Sequence, residues 1–328
     1  MTVMASMCVV GLALAEVGAR VIVERRPRLP VTSGELLTPS DDAELHFCSR
    51  PGAVETVTFF DADGAVARTV THTVNAQGWR GVEFTPRTAA GVVRIACVGD
   101  SLVFGHGVDE GDTWPRQLER EFVDGHVEAL NCGVSGYDIE QKVRLANVLA
   151  AGADPDVVLV QWFLNDDEFE GEQLVPHIER GWLWSHLHLG RAAWFRFLRE
   201  HSRCVDLLAE RSQATVNAHT FANTYASPLQ HGTPSRARVE ASFARLAALA
   251  HSGNVHVAVV VFPLTYEVDG RLLSADLDAD VVSIAAKHGL TVLDLGPALL
   301  AHGADRLRIH PLDYHITAEG HAVAARET

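Results

Sequence analysis

From Gly91 onward the chain alternates short apolar runs with longer amphipathic stretches, and this alternation limits the fold more than any other feature. The runs predict strands near 93–98, 126–131, 156–162, 255–262 and 290–294, and the stretches between them predict helices near 113–123, 138–151, 234–251 and 275–288. Strands separated by helices of that length return in parallel, so the expected class is α/β, a parallel sheet flanked by helices. Ligands of such sheets bind outside the carboxyl ends of the strands.

The first 90 residues follow a different pattern. Glu55–Phe60 and Ala65–Val74 flank the turn Asp61-Ala-Asp-Gly64 and read as two strands of a hairpin. Arg25–Pro39 begins basic and holds Pro27, Pro30 and Pro39, which suits a linker or extended lead-in. Residues 1–23 are apolar but interrupted by Glu16 and Arg20, whereas a spanning helix takes about 20 apolar residues. No Lys or Arg precedes this run and no small-residue cleavage site follows it, unlike a secretory signal. Positive charges follow it at Arg20, Arg25, Arg26 and Arg28, which under the positive-inside rule would keep the bulk of the chain in the cytoplasm. A membrane anchor and an amphipathic docking helix both stay open for 1–23, and with them a cytoplasmic or a membrane-anchored location. The expected organisation is this apolar helix (1–23), a linker with a small β appendage (24–90), and an α/β domain (91–328). A lid-like insertion rich in Trp, His and Arg, at about 166–233, is expected within the last. Its Trp-rich stretch from Gly181 to Trp194 is expected to cover the core, with an acyl or acceptor lid as the alternative.

The formal net charge of -15 is spread along the chain and argues against a nucleic-acid partner, whose phosphates need a basic face. Five cysteines without C-x-x-C spacing indicate neither a zinc site nor a disulfide framework, and Cys97 and Cys132 read as small buried hydrophobes.

The chemistry concentrates at strand ends. The first strand of the α/β region runs into Cys97-Val-Gly-Asp-Ser-Leu-Val-Phe-Gly-His-Gly107. Ser101 there suits a nucleophile held rigidly at a sheet edge, and the glycines around it allow a close turn. The alternative is that Asp100 or Ser101 only starts a helix. Asp313-Tyr-His315 supplies a base and its orienter, since residues i and i+2 of an extended segment point to one side. Most of the 17 histidines, His302 and His310 among them, are expected at the surface. The second strand ends in a glycine-rich turn containing Gly136, and the third ends at Asn165; a backbone N–H and a side-chain amide there can serve an oxyanion. Neither H-x-H nor H-E-x-x-H stands at a predicted strand end, so no metal is expected, and acyl transfer through a serine nucleophile needs no organic cofactor.

These blocks together resemble the SGNH/GDSL hydrolase family, from Ile95 to about Ala325. The resemblance implies a flavodoxin-like three-layer α/β/α sandwich. It also implies Ser101 as nucleophile, Gly136 and Asn165 as oxyanion donors beside the Ser101 N–H, His315 as general base and Asp313 behind it. Asn75–Gly81 and Gly107–Pro115 are similar to a bacterial subgroup that often carries an N-terminal membrane helix. Two positions depart from the family pattern: Phe163 stands where many members have glycine, and Asp313 precedes the histidine by two residues rather than three. A Ser101–His315 dyad stays open beside the triad. The implied activity is hydrolysis of a carboxylic ester of a small molecule, lipid or carbohydrate through an acyl-enzyme. Transfer of the acyl group to a hydroxyl acceptor and an inactive binding protein are the alternatives.

Overall fold

The computed structural model describes residues 2–22, 30–61, 65–85, 89–122, 125–167, 197, 201–205, 229, 233–253, 255–310 and 313–328. Helix α1 (Thr2–Ile22) is followed by strands β1 (Val31–Gly34), β2 (Leu37–Pro39), β3 (Phe47–Ser49), β4 (Val54–Phe60) and β5 (Val66–Thr73). The expected hairpin is β4–β5, paired antiparallel with Glu55 opposite His72 and Val57 opposite Val70. The lead-in is more than a linker: β1 pairs antiparallel with β4, and β2 with β3. Its β-branched residues Val31 and Thr32 cover the outer edge of β4, which would otherwise present unpaired backbone. Strand alternation turns Val57, Phe59 and Val70 inward, and the same period buries Glu55 and His72.

On α1, Val10, Leu12, Leu14 and Val17 are exposed. Glu16, which breaks the apolar run, accepts hydrogen bonds from the backbone N–H of Arg203 and Cys204 and from the Ser202 hydroxyl. Among the described residues no helix is long and apolar enough to cross a membrane.

The α/β region continues with β6 (Val93–Gly99), α2 (Ser101–Phe104), α3 (Trp114–Glu121), β7 (Val127–Gly133), α4 (Ile139–Gly152), β8 (Val157–Trp162) and α5 (Pro234–His251). Then follow β9 (His256–Val261), the short pair β10 (Glu267–Val268) and β11 (Arg271–Leu272), α6 (Ala275–Lys287), β12 (Thr291–Asp294) and α7 (Gly296–Ala301). The pair β13 (Arg308–His310) and β14 (Asp313–Ile316) and helix α8 (Ala318–Glu327) close the chain. Each expected strand and helix is present within two residues of its expected bounds. The sheet has the order β7-β6-β8-β9-β12 and every neighbouring pair is parallel. Cys97, Val98, Val158, Val160, Val259 and Val260 are buried, as continuous apolar runs require when helices cover both faces.

Right-handed crossovers put α3 on one face of this sheet and α4, α5 and α6 on the other, because the chain steps one way from β6 to β7 and the opposite way afterwards. Helix α8 packs on α3, giving three layers. The strand order reverses at β6, and that reversal opens a crevice at its carboxyl end. Cys48, Cys97, Cys132 and Cys204 are free thiols. The insertion expected at about 166–233 lies almost wholly outside the described residues from 168 onward.

Candidate active site

At the reversal point β6 ends in Gly99, and Asp100 caps α2 by accepting the Leu102 N–H on Oδ1 at 2.8 Å. Ser101 is the first helical residue, so the capping reading and the nucleophile reading of this stretch describe one turn. Gly105 ends the helix in the left-handed region at φ 83°. The helix lies so close to β7 that a Cβ on Gly133 would stand 2.2 Å from the Phe104 nitrogen.

The closing hairpin brings β14 over this turn. His315 Nε2 lies 2.8 Å from Ser101 Oγ, and His315 Nδ1 lies 2.6 Å from Asp313 Oδ1. The same carboxylate oxygen accepts the His315 backbone N–H at 3.0 Å. Burial disfavours the Asp313 charge, but the charge and hydrogen bonds of His315, helped by His106, hold the carboxyl well below the usual range. The two-residue Asp–His spacing therefore spans the distance. The His315 ring contacts two others: Tyr314 stacks at 4.6 Å and 28°, and His106 lies at 4.6 Å and 46°. Phe163 is buried and packs 5.0 Å from Tyr314, so the residue that departs from glycine supports the ring beside His315.

The other two expected positions border the same crevice. Gly136 adopts φ 87° in the turn after β7, and the Val134 N–H of that turn donates to Gly99 O at 2.9 Å. Asn165 lies in the 3-10 turn Leu164–Asp167 after β8. Its Oδ1 is buried without a hydrogen-bond partner among the described residues.

Sequence reasoning missed two buried polar clusters against the Ser101 turn. The first centres on Lys142 of α4, whose Nζ donates to Asp100 Oδ2 at 3.0 Å, to Gln161 Oε1 at 3.0 Å and to Asp166 Oδ1. Burial opposes its charge, yet Asp100 and Asp166 raise the Lys142 pKa above its ordinary value. The signal available was a lysine on the apolar face of a predicted helix, three residues after Ile139 and four before Ala146.

The second comes from the N-terminal sheet and the segment that follows it. Gly107 N–H donates to His72 Nε2 at 3.2 Å, so the neutral His72 carries its proton on Nδ1, which faces Glu55 Oε2 at 3.1 Å. Burial, with Arg80 and His315 adding to it, pushes the His72 pKa down to about 3. Buried Arg80 donates to the carbonyls of Phe104, Gly105 and Val108. His310, expected at the surface, is buried in β13, because the β13–β14 hairpin folds onto the domain rather than projecting from it.

Among the described residues, two groups bring three metal-ligand atoms within 4.8 Å of one another: Glu55, His72 and His106, and His106, Asp313 and His315. In the first, both ring nitrogens of His72 are already engaged, and in the second both nitrogens of His315 are.

The family model for the GDSL-like Lipase/Acylhydrolase family matches residues 97–323. No curated protein matches the chain. Among solved structures, a lipolytic protein of the G-D-S-L family from Veillonella parvula is 14% identical, with 72% of this chain and 96% of that chain covered and a TM-score of 0.39. The psychrotrophic esterase EstA from Pseudoalteromonas sp. is 13% identical over 71% of this chain and 93% of that one, with a TM-score of 0.41. A lipase/acylhydrolase from Enterococcus faecalis is 18% identical over 72% and 95%, with a TM-score of 0.40.

Proposed function

Since the chain belongs to the GDSL-like lipase/acylhydrolase family, we propose that it is a serine esterase that cleaves a carboxylic ester through an acyl-enzyme on Ser101. The observation that carries this reading is the continuous line from Ser101 Oγ through His315 to Asp313, at 2.8 and 2.6 Å. His315 Nε2 takes the hydroxyl proton as Oγ attacks the ester carbonyl, and the Asp313 carboxylate stabilises the imidazolium that forms. The N–H groups of Ser101 and Gly136 and the Asn165 amide receive the negative charge on the former carbonyl oxygen. Collapse expels the alcohol, which takes its proton from His315. Water then attacks the acyl-enzyme with His315 as base, releasing the carboxylic acid and restoring Ser101. A binding protein has no use for a hydrogen-bonded base aimed at a serine, which favours catalysis over an inactive fold.

The test is turnover of short- and medium-chain p-nitrophenyl esters by the wild type and Ser101→Ala, with and without sugar acceptors. Wild-type turnover that falls by at least about 10³-fold in Ser101→Ala is expected. Free acid as the sole acyl product fixes water as the acceptor, whereas acylated sugars would move the reading to acyl transfer. A wild type as inert as Ser101→Ala across the panel would overturn it.

A further inference from the structure

Beneath the crevice, the Lys142 ammonium lies fully buried at the meeting point of two turns. An ammonium has three N–H donors, and here they reach three acceptors on three segments: Asp100 after β6, Gln161 in β8, and Asp166 in the 3-10 turn. Each carboxylate partner uses its second oxygen to fix its own turn. Asp100 Oδ1 holds the Leu102 N–H at 2.8 Å, one residue beyond Ser101. Asp166 Oδ2 holds the Phe163 N–H at 3.1 Å, so its two bonds bracket Asn165. Gln161 joins the two sides again, since its Oε1 accepts the Asp100 N–H at 3.0 Å and its Nε2 donates to Asp100 Oδ2 at 3.3 Å.

Stability alone does not call for this arrangement. A buried ionic cluster is often replaced by apolar groups of similar volume at little cost, because desolvating the charges offsets much of their attraction. What the cluster supplies instead is a fixed distance between the residue after Asp100 and the residue before Asp166. We infer that Lys142 is a positioning residue of the active site, which ties the turn bearing Ser101 to the turn bearing Asn165 so that nucleophile and oxyanion donor move as one unit. This inference rests on the esterase reading and goes beyond it, since Lys142 touches none of the reacting atoms.

The experiment is a double-mutant cycle of Lys142→Met with Asn165→Ala, read as kcat and KM on the ester that the wild type turns over best. Lys142→Met is expected to lower kcat about 100-fold with KM changed by less than about threefold, as misplacement of a reacting group does. Asn165→Ala is expected to cost about 10²–10³-fold in the wild type and less than about tenfold in Lys142→Met, because a donor already out of register has little left to lose. Equal cost of Asn165→Ala in both backgrounds would overturn the inference. Should Lys142→Met fail to fold, Asp166→Asn takes its place in the cycle with the same expectation and the same overturning result. Ser101→Ala run in parallel separates the two levels. If it abolishes turnover while the cycle is additive, only the role of Lys142 falls; if it is as active as the wild type, the esterase reading falls and the inference with it.

Discussion

The five-stranded parallel sheet and the smaller N-terminal antiparallel sheet meet at the same turn and treat it in different ways. The parallel sheet presents Ser101, Gly136 and Asn165 at the ends of β6, β7 and β8, and helix α4 ties two of these ends together from below. From the smaller sheet's region, side chains hold the segment that leaves the site. Arg80 takes the carbonyls of Phe104, Gly105 and Val108, Arg68 donates to Gly107 O at 2.7 Å, and His72 accepts the Gly107 N–H. The difference follows from backbone accounting. Groups inside the sheet find partners in its ladder, but a turn that leaves a strand end has none there, and buried N–H and C=O groups must then be met by side chains. The N-terminal sheet therefore acts as a wall of the site.

The sharpest way to break this comparison is Arg80→Met, which keeps the bulk of the buried stem and removes the donors to three carbonyls. A stability loss of about 3–5 kcal/mol is expected from urea unfolding, with a fall of about 100-fold in ester turnover from the folded fraction. Unchanged stability and turnover would remove Arg80 and the segment after β5 from the wall of the site.

A smaller effect on activity, about tenfold, is expected of His72→Phe, and its signature lies in pH. The folded-state pKa of His72 is about 3, below the roughly 6.5 of a free imidazole. The stability that the neutral ring contributes is thus present above pH 6.5 and is lost as pH falls toward 3, by up to about 1.4 kcal/mol per pH unit. Protonation would add a hydrogen on Nε2 opposite the Gly107 N–H and break the hold on the turn. His321 adds a second such dependence, since its Nδ1 accepts the Trp114 N–H at 3.1 Å and burial pushes its pKa to about 3. His72→Phe should be destabilised at pH 8 by about 1–3 kcal/mol, the cost of an unmet Gly107 N–H, and should lose less stability than the wild type between pH 6 and 5. Urea midpoints at the three pH values check both; parallel curves for the two chains would sink the assignment.

The same contrast governs what could be read from the sequence. Strands β6, β8 and β9 are mainly apolar because both faces are covered, with Arg94, Gln161 and His256 as the polar exceptions, and Ser101, Gly136, Asn165, Asp313 and His315 fall at or near element ends where turn chemistry is legible. Lys142 sits inside a helix that the period predicts, but an ammonium can be buried there only because Asp100 and Asp166 converge beneath it, which is a tertiary fact. The inward period of β4 and β5 includes Glu55 and His72, yet their meeting depends on hairpin register. Register is set by the turn between the strands as well as by the apolar pattern. Strands β1, β2 and β3 are three or four residues long, too short to show a period, and exist by virtue of the partners they pair with.

Asp278 sharpens the comparison from the other side, with no effect on the site. It lies in α6, buried, with Oδ2 2.6 Å from the Ser274 hydroxyl that donates to it and Oδ1 without a partner among the described residues. Burial pushes its pKa up to about 8, far above the roughly 3.9 of a free carboxyl. The native state therefore holds a proton that the unfolded chain gives up. The stability this contributes is complete below about pH 4 and is lost as pH rises through 8, at up to about 1.4 kcal/mol per pH unit. Asp278→Asn should remove that decline and leave turnover within about twofold, as a substitution remote from the reacting groups does. Acid would then loosen the molecule through His72 in the sheet that walls the site and His321 in α8, and alkali through α6 on the opposite face of the parallel sheet. If Asp278→Asn and the wild type lost stability in parallel between pH 5 and 9, the alkaline limit would have to come from another group.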